Sequence, residues 1–163
     1  MKNYFYLFIA VVLWSCKEPI GGELGVPSSK IDGIHGSWEL ISVIQTDEKA
    51  PNKRQLDLSS YYSSFILDFD KTELSFFIDS NLQITGNNFF GSSGTWKFYN
   101  SQFSEYDLLY PDGIYMIHAA GDTTRFSLGS PIREYDEVLE LKLYRQCNEE
   151  NTLSYEFIFL INH

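Results

Sequence analysis

The chain predicts an all-β domain, a single antiparallel up-and-down barrel of about eight strands, with a two-sheet β-sandwich as the alternative way of hiding strand edges. Three observations predict it. From Gly36 onward, apolar and polar side chains alternate in short runs, the period-2 pattern of strands with one buried face. Aromatic residues make up 17% of the chain, and rings pack well on the pleated surface of a sheet. Gly, Asn and Asp clusters break the runs at short intervals, leaving no room for a long helix.

The runs follow in order. Residues 38–44 (Trp-Glu-Leu-Ile-Ser-Val-Ile) form the first strand. Residues 54–62, around Gln55-Leu56-Asp57-Leu58, are the one place for a short helix. Residues 65–70 put Phe65, Leu67 and Phe69 on one face and Asp68 and Asp70 on the other. Asp70-Lys71-Thr72 turns the chain into 74–78, and 82–85 is a short strand before Gly86-Asn87-Asn88. Residues 94–99 follow the Gly91-Ser92-Ser93 loop. Strands 106–110 and 114–119 flank the Pro111-Asp112-Gly113 turn, and 123–128 comes next. Two longer strands close the chain. In 138–145, Leu139, Leu141 and Leu143 alternate with Glu140 and Lys142; in 153–161, Leu153, Tyr155, Phe157, Phe159 and Ile161 align. Gly36-Ser37-Trp38 and Gly94-Thr95-Trp96 each open a strand, marking candidate equivalent positions in two halves.

The segment ahead of the domain carries an address. Lys2 precedes an eleven-residue apolar run at 4–14, shorter than the roughly 20 residues a bilayer core needs, which fits the apolar region of a signal peptide. The run ends in Leu13-Trp14-Ser15-Cys16, which resembles the lipobox of bacterial lipoproteins. That resemblance implies removal of residues 1–15 and lipidation of Cys16. Residues 16–32, rich in Gly, Pro and Ser, are expected to be a flexible tether, and 33–163 the barrel domain. With Cys16 acylated, Cys147 has no intramolecular partner and no disulfide supports the fold. The net charge of −10 opposes phosphate, which argues against nucleic acid, and against lipid headgroups as a protein-borne contact. Membrane association is expected through acyl chains alone.

The Gly36-Ser37-Trp38-Glu39-Leu40-Ile41-Ser42 opening resembles that of lipocalins and related calycins. More of the chain, over about residues 33–162, is similar to an uncharacterised lipocalin-like domain family of Bacteroidetes lipoproteins. The features that carry this are the Cys-led tether, Gly-x-Trp, Asp57-Leu58-Ser59, the Phe65-to-Phe69 strand with its Asp turn, Gly94-Thr95-Trp96, and a final hairpin with Cys147. The resemblance implies an eight-stranded barrel with a short element near one mouth, and no established activity. Lys17-Glu18 also resembles part of the export signals of such lipoproteins, implying an exported protein fastened in the cell envelope, at the outer membrane. One departure concerns the basic residue that lipocalins pack over the first-strand Trp. The final strand here has none, and Arg145 is the nearest candidate.

No catalytic constellation emerges. His118 alternates with Ile114 and Met116, yet no Ser lies in a strained elbow, so a hydrogen-bonded structural role is expected. Asp68, Asp70 and Glu73 are too few and lack the bend glycine of a calcium loop, so neither metal nor cofactor is expected. The ring surplus is more telling. Phe65, Phe69, Phe76, Trp96, Phe98, Phe157 and Phe159 are expected to point inward, where they either fill the barrel or line a site for one small ligand. In the second case an apolar molecule would meet Phe76, Trp96, Phe98 and His118 inside and a rim of Tyr61, Tyr62, Phe89 and Phe90. In the first, exposed loop rings would dock another envelope protein.

Overall fold

A computed structural model describes residues 29–79, 89–99, 111–133 and 136–163. The expected strands at 82–85 and 106–110 lie outside these residues. The described chain begins with a one-turn helix α1 (Lys30–Ile34) and continues through β1 (Gly36–Asp47), β2 (Gln55–Asp57), a 3₁₀ turn (Ser59–Tyr62), β3 (Ile66–Asp70) and β4 (Ser75–Asp79). Then come β5 (Ser93–Tyr99), β6 (Gly113–His118), β7 (Thr123–Leu128), β8 (Val138–Cys147) and β9 (Glu150–Ile161). Every pairing is antiparallel, and β1 pairs with β9 from Trp38↔Ile161 to Asp47↔Leu153, closing an eight-stranded barrel with β2 as an extra strand. That closure excludes the sandwich.

The long first strand serves three neighbours. Its first half pairs with β3 (Gly36↔Phe69 to Glu39↔Ile66) and its second half with β2 (Ile44↔Asp57 to Thr46↔Gln55). A bulge at Ile41, between Leu40 and Ser42, bends the strand where it changes partner. In that break Ser59 stands in for a strand: its hydroxyl accepts from the Val43 amide at 3.0 Å and donates to Asp57 Oδ1 at 2.6 Å. The Asp57-Leu58-Ser59 motif therefore stitches β2 and the 3₁₀ turn onto β1. The short helix expected over 54–62 is thus a three-residue strand followed by a single 3₁₀ turn, because the free edge of β1 captures Gln55–Asp57.

The first described residues are packed, not free. Ser29 caps α1 by accepting from the Asp32 amide at 3.3 Å, and Ser29, Lys30 and Ile34 are buried. Residues 29–32, expected as the end of the tether, are packed chain, and the rest of that expected segment lies outside the described residues. The helix covers one end of the barrel: the Trp38 indole donates to the Ile34 carbonyl at 2.9 Å, and Ile132 packs from the β7–β8 connection. Lys71, in the β3–β4 turn, reaches Asp32 at 2.6 Å across the same base. In the two Gly-x-Trp units both indoles are buried and both donate to a backbone carbonyl, Trp96 to Asp70 at 3.3 Å.

Inward-facing side chains form one core. Phe65, Phe69, Phe76, Trp96, Phe157 and Phe159 are buried as expected, and Phe98 packs partly buried against them. At the base, Phe69 meets Trp96 edge-on at 5.6 Å, and Trp96 meets Phe98 at 5.2 Å. Such T-shaped pairs suit the ring quadrupole.

Candidate functional site

The end of the barrel opposite α1 is its mouth. The strand directions bring together here the 3₁₀ turn, the Phe89-Phe90-Gly91 segment, the β6–β7 turn and the β8–β9 hairpin tip. That tip is a two-residue turn in which Asn148 and Glu149 both have positive φ, 52° and 67°, the conformation that matches strand twist. Cys147 beside it is exposed.

Rings crowd the mouth. Phe90 is 1% exposed and lies inside the barrel, not on its rim. It stacks on Phe126 at 4.7 Å with a 13° interplanar angle and meets Phe157 at 5.0 Å, Phe65 at 5.2 Å and Phe159 at 6.0 Å. These partners come from β7, β9 and the start of β3, so one loop side chain spans the interior at this level. Above it, Phe89 packs on Tyr155 at 4.8 Å and Phe157 at 6.0 Å, with the Arg145 guanidinium 5.0 Å over its face. Arg145 therefore covers a mouth ring and not Trp38, which is held at the base by Ile34. Tyr62 completes the layer against Phe65 and Phe157, both at 6.3 Å. Burial pushes the Tyr62 phenol up, and the neighbouring Tyr155 adds to it.

The expected site residues thus separate. Tyr62, Phe89 and Phe90 come together at the mouth, as internal packing. Tyr61 is 69% exposed and takes no part in that ring packing. Phe76 is buried against the edge of His118 at 6.0 Å, while Trp96 and Phe98 belong to the base. His118 Nε2 hydrogen bonds with the Thr124 hydroxyl at 2.8 Å, and its Nδ1 faces Gly91, where an added Cβ would lie 2.0 Å away. A nucleophile-activating base requires an orienting acid, and among the described residues no hydrogen bond joins His118 to one. The Asp70 carboxylate accepts from the Glu73 and Thr72 amides, both at 2.8 Å, so it is engaged by its own turn. Among the described residues no group of three or more His, Cys, Asp or Glu side chains could hold a metal ion.

Sequence reading missed three participants: Phe126, Tyr155 as a mouth residue, and a patch on the outer wall. There the Arg125 guanidinium lies 4.1 Å over the Tyr99 ring, Tyr99 meets Tyr115 at 5.1 Å, and Lys97 sits 5.8 Å over Tyr115. The spacing of these residues on three adjacent strands was visible, but their alignment depends on register. No family model matches the chain, and no curated protein or solved structure is significantly similar to it.

Proposed function

We propose that this chain is an exported lipoprotein, acylated at Cys16, whose barrel is a non-enzymatic docking module for another component of the cell envelope. The observation that carries this reading is the position of Phe90. A small barrel either fills with its own side chains or holds one ligand, and Phe90 with its four ring neighbours occupies the space a ligand would take at that level. Function then rests with the outer surface, where Tyr61, Leu56, Ile41 and Tyr144 are exposed. Native mass spectrometry of the delipidated protein is expected to give the mass of the chain alone. A stoichiometric apolar molecule carried through purification would instead support a ligand-binding calyx and overturn this reading. Metabolic labelling with a fatty-acid probe is expected to mark the chain and to be lost in Cys16→Ala.

A further inference from the structure

The barrel has a seam. Strands β7 and β8 pair only at Ser127↔Lys142 and Leu128↔Leu141, with one further bond from the Gly129 amide to the Glu140 carbonyl at 2.9 Å. Beyond Ser127 the two strands part. β7 stays with β6 up to Ile117↔Thr123, and β8 stays with β9 up to Cys147↔Glu150. The alternation of the ladders settles which backbone groups are left. The Leu128 amide donates to Asp112 on the β6 side and the Gly129 amide to Glu140 on the β8 side, so odd-numbered residues of β7 face β8. By the same count, even-numbered residues of β8 face β7. Thr123 and Arg125 on one side, and Tyr144 and Gln146 on the other, therefore turn N–H and C=O toward the seam with no ladder partner among the described residues.

Open edges are normally guarded by a charged side chain standing over them. Here the edge charge is folded away, because the Arg125 guanidinium lies flat on Tyr99, whose hydroxyl is 3.2 Å from that of Ser127. Outside the seam runs a shallow groove of about 230 Å³ lined by Arg125, Ser127, Tyr144, Gln146 and Asn151. Among the described residues that line it, the one charged side chain is cationic, in a chain of net charge −10. Behind it, the Phe89 and Phe90 rings back the opening from within.

We infer that the β7–β8 seam takes an extended peptide segment of a partner protein, added as a strand along Thr123 and Arg125, with an acidic side chain of that segment set against Arg125. The inference rests on the docking reading and names its mode, strand addition, in which main-chain hydrogen bonds hold the peptide and side-chain contacts select it. The test uses the full acylated chain in detergent micelles. The probe is a capped heptapeptide of alternating threonine and valine with a central glutamate. Two companions are used, one with lysine for glutamate and one with alternate backbone nitrogens methylated. The glutamate peptide is expected to slow amide exchange at Thr123 and Arg125 by about tenfold or more at saturation. The methylated peptide is expected not to bind. Arg125→Glu should weaken the glutamate peptide and favour the lysine peptide, by about tenfold each. Equal binding of the methylated peptide would overturn the inference. So would indifference to Arg125→Glu, self-association through the seam, or amides at Thr123 and Arg125 already as protected as those facing β6. Failure of these probes alongside an empty barrel in the native mass spectrum removes strand addition alone. A co-purified apolar ligand removes the docking reading beneath it.

Discussion

Replacing Phe90 by alanine removes the ring that joins β3, β7 and β9 across the mouth. Truncating a buried phenylalanine costs about 3–5 kcal/mol, so Phe90→Ala is expected to lose stability of that order in urea unfolding, whereas Phe90→Leu should lose less than about half as much. A rim ligand contact would behave differently, with little change in the free protein. Gly94 is a second test. A Cβ there would lie 2.0 Å from the Ile117 carbonyl oxygen, because β5 passes close to β6 at this point. Gly94→Ala therefore forces backbone apart, and a loss of about 1–3 kcal/mol is expected, read as a lower midpoint of thermal unfolding. Ser59→Ala leaves the Val43 amide without its 3.0 Å acceptor at the β1 bulge, which should cost about 1–2 kcal/mol.

At the level of elements, the β3–β4 turn contributes to acid sensitivity. The Glu73 amide above all, with the Thr72 amide and the nearby His35 and Lys71, holds the Asp70 carboxyl below the ordinary aspartate range. A carboxyl with a depressed folded value adds stability above its unfolded pKa and loses it as pH falls through the folded one. Carbon-detected NMR titration is expected to place Asp70 below a free aspartate, and Asp70→Asn should flatten the acid limb of the stability profile. The alternation of Phe65, Leu67 and Phe69, or of Leu139, Leu141 and Leu143, was legible in the sequence because a half-buried strand writes its period into side-chain polarity. Segments too short to show a period were not legible. Gln55–Asp57 has three residues, and α1 spans five with Gly33 among them, although Ser29-x-x-Asp32 is a recognisable cap. Phe89-Phe90 sits outside any alternation, so nothing local distinguishes a pair that plugs a mouth from one that lines it. The seam depends on two strands parting in space. No single-strand pattern records that.

For the whole molecule, closure ties the start of the domain to its end. β9 is the partner of both β1 and β8, so its ladders span nearly the full length of the described chain. Contacts so distant in sequence make folding slow, on a scale of milliseconds to seconds, and leave little native structure until the last strand is available. A chain ending at residue 149 is expected to lack the β circular-dichroism signature of the intact domain and to bind a hydrophobic dye. The same topology fixes a polarity. The helix α1 lies at the base, and the β6–β7 and β8–β9 hairpin tips and the plugged opening lie at the far pole. If Cys16 carries the proposed acyl group, thirteen residues separate it from Ser29, a length of chain that reaches at most about 45 Å. Under the proposed acylation the barrel is therefore tied to the bilayer by its base, and its plugged opening is the end farthest along the chain path from the lipid.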